Sequence, residues 1–275
     1  MKYDVASDIH TDLWTGRAKH MNWASLKSPD SNVLVLAGDT SNYLEEVEVV
    51  LNDTSAIYNH VVFTDGNHEG YFFRETVDEL ESYLATLANK FPNVTYLNGT
   101  NIFRYENTVF IGANGWYDFR VSEPKYSFDQ AKQAWARGSN DPARINFGAL
   151  APEVRAERHA TLLADQVAKL QNCGVELVVT THTIPNRRLA EWSKYTNTPG
   201  AVLDGAYYNT EMDRVRAADV GGLIKVWNYG HTHQRFDRWI DGIRYVNNSR
   251  GYEVESREHG RWFLAQINTE DQSYG

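Results

Sequence analysis

Five short blocks gather most of the side chains able to bind a metal or move a proton: Asp8-Ile9-His10, Gly38-Asp39, Gly66-Asn67-His68-Glu69, Thr181-His182 and Gly230-His231-Thr232-His233. The chain has nine histidines, and five of them fall in these blocks, so the imidazoles are clustered rather than scattered. Imidazole, carboxylate and carboxamide together suit a hard-to-borderline divalent cation such as Mn, Fe, Ni or Zn. Cys173 is the single cysteine, which excludes a thiolate site and an internal disulfide; a small buried hydrophobe is its simplest reading. In Asp-x-His and His-x-His, alternate residues of extended backbone point to one side, so each pair can address one metal or two adjacent ones. The glycines before Asp39, Asn67 and His231 let the chain turn tightly there.

These blocks need elements to hold them, and each follows an apolar run. Tyr3–Ala6, Val33–Ala37 and Val61–Thr64 read as buried strands, with helical spacing over Leu44–Leu51 and Glu75–Lys90. Tyr96-Leu97, Ile102–Tyr105 and Thr108–Ile111 suggest further strands. From 113 to 150 the pattern breaks into aromatics and turn residues, too long for an ordinary loop, which suggests an inserted lid. Pro152–Gln171 resumes as a helix and Val175–Thr180 as a buried strand. A second irregular stretch, 184–209, reads as an active-site loop before a short helix over Thr210–Ala218. Lys225–Tyr229, Gln234–Ile240, Ile243–Asn247 and Trp262–Ile267 close the chain as strands, with Asp241-Gly242 as a hairpin turn. Strands alternating with helices and then a run of hairpins imply layered α/β in one domain over 1–275. Five strand ends delivering His, Asp or Asn to one sheet edge is the placement of a ligand site in α/β folds.

Bulk properties narrow the function classes. With 42% hydrophobic residues there is material for a sizeable core. Lys and Arg number 27 against 36 Asp and Glu, a net charge of −9, which disfavours a protein that grips extended nucleic acid. No run of about 18 apolar residues occurs, so no membrane partner is expected, and a cytoplasmic location is.

The ordered series D-x-H, G-D, G-N-H-E, H, G-H-x-H resembles the calcineurin-like metallophosphoesterase superfamily, in its phosphodiesterase-like branch. The resemblance runs on to Asn248-Ser249-Arg250-Gly251-Tyr252, similar to an N-P-R-G-Y segment with serine in place of proline. It implies a four-layer α/β/β/α sandwich of two mixed sheets flanked by helices. It also implies two divalent cations, Mn foremost and Fe, Ni or Zn as alternatives. Asp8, His10 and His233 would hold the first and Asn67, His182 and His231 the second, with Asp39 bridging. His68 would be the non-ligand histidine beside the phosphate, and Asp39 and His68 the catalytic pair. Two metals about 3.5–4 Å apart activate a hydroxide and clamp phosphate oxygens for in-line attack. The expected substrate is a phosphomonoester or phosphodiester of a small molecule or nucleotide. The alternatives are a nuclease of the same superfamily and a metal-binding interaction scaffold.

Several residues carry two readings. Trp116 and Tyr117 either wall the substrate cleft or pack beneath a long loop. Arg250 and Tyr252 either face the site or belong to a corner made by Gly251. With Asn67 and His68, Trp116 and Arg250 are the candidate substrate contacts. Arg187 and Arg188 either touch an anionic substrate or lie exposed. Glu69 reads as a residue that ties its loop together. Asp12, Asp65 and Asp118 read as solvated or capping, and His20, His60, His159 and His259 as core or surface. Protein phosphatases of the superfamily carry G-D-x-V-D-R-G; here Gly38-Asp39-Thr40-Ser41-Asn42-Tyr43 has no arginine, and Asn42 stands where an aspartate would. That leaves the orientation of His68 open, because a carboxylate stabilises an imidazolium and an amide does not.

Overall fold

The computed structural model describes residues 1–121, 123, 125–192, 202–256 and 260–271. Its strands are β1 (Lys2–Ala6), β2 (Val33–Ala37), β3 (His60–Thr64), β4 (Val94–Tyr96), β5 (Ile102–Tyr105), β6 (Thr108–Ala113), β7 (Glu176–Thr181), β8 (Ile224–Tyr229), β9 (Arg235–Ile240), β10 (Ile243–Asn248) and β11 (Ala265–Asn268). Its helices are α1 (Gly16–Lys19), α2 (Trp23–Leu26), α3 (Leu44–Ser55), α4 (Val77–Ala88), α5 (Phe128–Gly138), α6 (Asp141–Arg144), α7 (Pro152–Leu170) and α8 (Asp213–Ala218).

Two mixed sheets form, in the orders β11-β1-β2-β3-β4 and β5-β6-β7-β8-β10-β9. β1 to β4 run parallel with β11 antiparallel at one edge. β6, β7, β8 and β10 run parallel between the antiparallel edges β5 and β9.

Period-2 alternation sorts the side chains into layers. Along β2, Val33 and Val35 enter the space between the sheets, where they meet Tyr3, Phe110, Val178 and Val226. Leu34 and Leu36 point the other way, against Val47 and Leu51 of α3 and Leu80 and Leu84 of α4. In the second sheet Val178 faces inward, while Leu177 and Val179 pack on Leu163 and Val167 of α7. A strand buried on both faces has no polar alternation to show, so it reads as an unbroken apolar run. Each such side chain stabilises the sandwich by about 1.5–3 kcal/mol. The expected α/β/β/α layering is thus the observed one.

The sheets are also pinned together beside the blocks described above. Ser7 bridges Ser249 just past β1 and β10, and Asn248 Nδ2 donates to the Val5 carbonyl at 2.8 Å.

Four expectations need correction. Cys173, expected as a small buried hydrophobe, is exposed in the turn after α7. The 113–150 stretch is not wholly irregular: it holds α5 and α6 and has its own aromatic core of Trp116, Tyr117, Phe119 and Trp135. α5 begins at a capping box in which Ser127 and Gln130 satisfy each other's backbone N–H groups. The helix expected over Thr210–Ala218 starts as a 3-10 turn, Thr210–Met212, before α8. Trp262 is not in a strand; its indole N–H donates to the Asn248 carbonyl at 3.2 Å and β11 begins three residues later. The 184–209 stretch lies partly outside the described residues.

Candidate metal centre

The blocks converge because neighbouring strands end together and their following loops bond to one another. Asp8 N donates to the Gly38 carbonyl at 3.0 Å and His10 N to the Asp39 carbonyl at 3.1 Å. Gly230 N reaches the His182 carbonyl at 2.9 Å, and His231 N reaches Asp8 Oδ1 at 2.8 Å. The bends are sharp. Asp8 (φ 47°), His10 (φ 46°), Asp39 (φ 56°) and His231 (φ 70°) all occupy the left-handed region. Gly66 is required by close approach, since a Cβ there would overlap Asp39 Oδ1.

Glu69 clasps two of these loops. Its buried carboxylate accepts from Gly66 N at 2.7 Å, Thr40 N at 2.7 Å and Asp39 N at 3.2 Å. Burial, joined by the charge of Asp39, pushes its pKa up to about 8 against those bonds. It ties the loop, as the sequence suggested.

The side chains form three overlapping groups whose donor atoms lie within 4.8 Å of one another: Asp8, His10 and His233; Asp39, His182 and His231; His10, Asp39 and His68. Asp39 Oδ2 is 3.3 Å from His182 Nε2 and 3.7 Å from His10 Nε2. Asn67 joins the second group, its Oδ1 being 3.2 Å from His182 Nε2. All seven residues anticipated as ligands therefore meet at one place.

The donor set fits cations. The Nε2 atoms of His10 and His233 face each other at 3.1 Å, and Asp8 Oδ2 is buried without a hydrogen-bond partner. Three imidazoles have one nitrogen committed outside the cluster: His182 Nδ1 to the Ala37 carbonyl at 2.9 Å, His233 Nδ1 to Glu255 Oε2 at 2.7 Å, and His231 Nε2 to the Ala206 carbonyl at 3.0 Å. Such outer bonds fix the ring and leave the other nitrogen's lone pair for a metal.

Burial pushes His10 well below the ordinary imidazole range, helped by neighbouring His68. Burial, with His182 beside it, likewise pushes His231 down to about 4. Burial alone would raise the Asp39 carboxyl, but the imidazoles of His182 and His68 outweigh it and hold Asp39 well below its usual value. The site is built to keep Asp39 ionised.

His68 stands beside the cluster, its ring stacked on Tyr71 at 4.1 Å. Its Nδ1 meets Asn42 Oδ1 at 2.7 Å, and its Nε2 lies 3.9 Å from Asp39 Oδ2 and 3.4 Å from the Tyr252 hydroxyl. Asn42 thus still orients the ring.

A cavity of about 230 Å³ opens over these groups, walled by Tyr71, Asn140, Asp141, Leu203, Tyr207 and Tyr252. Of the anticipated substrate contacts, Asn67 and His68 line it. Trp116 does not: it is 1% exposed and packs edge-on against Tyr117 and Phe147, which is the packing reading. Arg250 does not line it either; its guanidinium lies 3.8 Å from the Trp14 ring centroid, and burial lowers its pKa to about 10. Arg187 bonds the Arg120 carbonyl at 2.9 Å, and Arg188 pairs with Asp241 at 2.8 Å.

Asp65 and Asp12 are not merely solvated. Asp65 is buried and accepts from Tyr96 Oη at 2.7 Å and Asn114 Nδ2 at 3.0 Å. Asp12 accepts from Asn42 Nδ2 at 2.7 Å. Asp118 caps the Thr210 turn, accepting from Thr210 N at 2.8 Å. His20 is exposed, His60 half-buried and His159 in the core, and His259 lies outside the described residues. Tyr252 takes the site-facing one of its two readings, whereas Asp141, Tyr71 and Tyr207 were not anticipated, since they come from segments without motif or periodic spacing.

Residues 1–186 match the sequence model of the family described as calcineurin-like phosphoesterase. The chain belongs to that family. Among relatives of this phosphoesterase, Uncharacterized protein L509 of Acanthamoeba polyphaga mimivirus is 25% identical over 273 residues, covering 90% of each chain. In fold the present chain is similar to the phosphopantetheinyl hydrolase of Mycobacterium tuberculosis, with a TM-score of 0.77, 17% identity and coverage of 100% of this chain and 98% of that one. A dimetal phosphatase from Danio rerio is similar at a TM-score of 0.56 and 14% identity, covering 96% of this phosphoesterase and 91% of that chain.

Proposed function

We propose that this member of the calcineurin-like phosphoesterase family hydrolyses phosphomonoesters or phosphodiesters of small molecules at a two-cation centre. Asp8, His10 and His233 would hold one cation and Asn67, His182 and His231 the other, with Asp39 between the two sets of donors. The observation that carries this reading is the Asp39 carboxylate, within 3.7 Å of His10 on one side and 3.3 Å of His182 on the other. Divalent cations bound there supply Lewis-acid charge and lower the pKa of water, the chemistry a phosphate ester needs at neutral pH. The imidazole, carboxylate and carboxamide donors suit Mn, Fe, Ni or Zn, and the family resemblance puts Mn first among them.

The chain's own residues do the rest. Asn67 offers an oxygen without adding negative charge, so the centre stays attractive to phosphate. His68 Nε2, beside Asp39, is placed to give a proton to the leaving oxygen or to stabilise the charge that develops on it. Tyr71, Tyr207 and Tyr252 narrow the opening and limit water around the reacting group. Among the described residues no Lys or Arg lines the cavity, and outside the metal clusters its one charged wall residue is the acid Asp141. That favours an ester whose alcohol is uncharged over one bearing further phosphates.

The test is a side-by-side assay of mono- and bis-p-nitrophenyl phosphate and nucleotides, after stripping the metals and restoring them singly. Asp39→Ala is expected to abolish the restored hydrolysis while the protein stays folded by circular dichroism. Undiminished turnover by that variant would sink the assignment.

A further inference from the structure

Asn42 breaks the sequence pattern next to His68, and the structure supplies a partner for it from another loop. Asn42 Nδ2 lies 2.7 Å from Asp12 Oδ2, and Asn42 Oδ1 lies 2.7 Å from His68 Nδ1. Asp12 Oδ1 also accepts from Asn42 N at 3.2 Å and from Ser41 Oγ at 3.1 Å. We propose that Asp12 is a positioning residue that fixes the His68 ring through Asn42, so that a carboxamide–carboxylate pair takes the place of a single aspartate at position 42.

The argument is one of donors and acceptors. A carboxamide has an accepting end and a donating end, and its partners decide which way it turns. An ionised carboxylate only accepts, so Asp12 holds the NH₂ end of Asn42. The carbonyl end must then face His68, which obliges Nδ1 to carry a hydrogen and donate it. Nε2 is left as the ring nitrogen turned toward Asp39 and the cavity, and it gives a proton to a leaving oxygen when the ring carries its second hydrogen there. With Asp12 gone, the amide of Asn42 can turn over, present NH₂ to Nδ1 and favour the opposite tautomer.

Asp12 is itself held in register by the backbone. It lies in the 3-10 turn Thr11–Leu13, and Thr11 N donates to the Thr40 carbonyl at 3.0 Å. Asn42 and Ser41 are buried, so the chain has few other partners to offer that amide. The arrangement also explains why an aspartate at 42 does not suit this chain. It would set two carboxylates at 2.7 Å, where like charges repel or must share a proton.

This proposal rests on the reading of the site as a phosphoesterase, and its test separates the two. Turnover of p-nitrophenyl and phenyl phosphate esters is compared for the unaltered holoenzyme, Asp12→Ala, Asn42→Asp and the swap Asp12→Asn/Asn42→Asp, with melting temperatures recorded alongside. Asp12→Ala and Asn42→Asp are expected to lower kcat on the phenyl ester by about tenfold or more and on the nitrophenyl ester by less, because protonation matters most for a basic leaving group. The swap is expected to recover most of that loss, to within about threefold of the unaltered chain, since it restores one donor and one acceptor in reversed order. Equal losses on both esters, an Asn42→Asp variant as active as the unaltered chain, or a swap no better than Asn42→Asp would overturn the proposal. If the unaltered chain turns over neither ester, the functional reading fails. The relay is then read from ¹⁵N-histidine NMR of the zinc-loaded chain: a hydrogen on His68 Nδ1, in the neutral ring or the imidazolium, that is lost in Asp12→Ala supports it, and a His68 Nδ1 without hydrogen in the unaltered chain refutes it.

Discussion

The side-chain nitrogen of Asn67 donates to Oδ1 of Asp141 at 3.0 Å, which turns the oxygen of that amide toward His182. Asp141 opens α6, 74 residues further along the chain. It accepts at the same time from the hydroxyls of Tyr71 at 2.7 Å and Tyr117 at 2.6 Å. One buried carboxylate of the 113–150 segment thus decides which end of the Asn67 amide faces His182.

Asp141→Asn should therefore weaken cation binding, because an amide cannot accept from three donors at once. Loss of an outer-shell partner typically costs about ten- to a hundredfold in metal affinity. Calorimetric titration of the metal-stripped protein with zinc checks this. Equal affinities in variant and parent would show that Asn67 needs no such support.

His68→Ala should slow phosphate esters with poor leaving groups far more than nitrophenyl esters. Removing a general acid costs about 10²–10⁴-fold where protonation limits the rate. A leaving-group series in place of a single substrate is the measurement. A flat response across the series would assign His68 to holding the phosphate instead.

Gly66→Ala tests the tightness of the bend before Asn67. The added methyl meets Asp39 Oδ1 and lies 2.7 Å from Asp39 N, so either the loop or the carboxylate must move. The variant is expected to lose metal-dependent turnover and to melt several degrees lower, following the cost of forced shifts in a packed site, about 1–3 kcal/mol. A melting curve that is unaltered with and without metal would contradict the structure at this point.

His60 gives a pH dependence remote from the centre. It stacks on Phe103 with ring centroids 3.5 Å apart, and its Nε2 meets Thr95 Oγ1 at 2.9 Å. Burial pushes its pKa down from 6.5 to about 4. The unfolded chain therefore binds the proton more readily, so this contribution is present above pH 6.5 and is lost as pH falls toward 4. Urea unfolding at pH 7 and pH 5 should show a smaller drop for His60→Gln than for the parent, and equal drops would refute it.

The legibility of this protein followed sequence distance. Asp8 and His10, or His231 and His233, lie two apart just past apolar runs, so spacing alone suggested that they act together. Glu69 was legible as a loop tie because its acceptors, Gly66 and the Asp39–Thr40 bend, follow glycine-marked strand ends. Asp141 was not legible, since bonds to Asn67, Tyr71 and Tyr117 across 24 to 74 residues leave no period in the sequence. Asn42 stood out as a departure, but its partner Asp12, 30 residues earlier, did not. Trp116 kept two readings because an aromatic after a glycine at a strand end looks alike whether it lines a cleft or lies beneath one, and only its burial decides. α5 could have been found from its S-x-x-Q start, Ser127 to Gln130.

The left-handed bends at Asp8, His10, Asp39 and His231 act as a filter on residue type. Asp, Asn and His are several-fold enriched among non-glycine residues in that conformation, and β-branched residues are nearly barred from it. The same short list supplies oxygen and imidazole donors for divalent cations. Backbone shape and coordination chemistry therefore screen substitutions at these four positions in the same direction. A valine at position 10 would fail twice, once as a turn and once as a donor, whereas exchanges among Asp, Asn and His would leave the bend intact and alter only which cation, if any, is held.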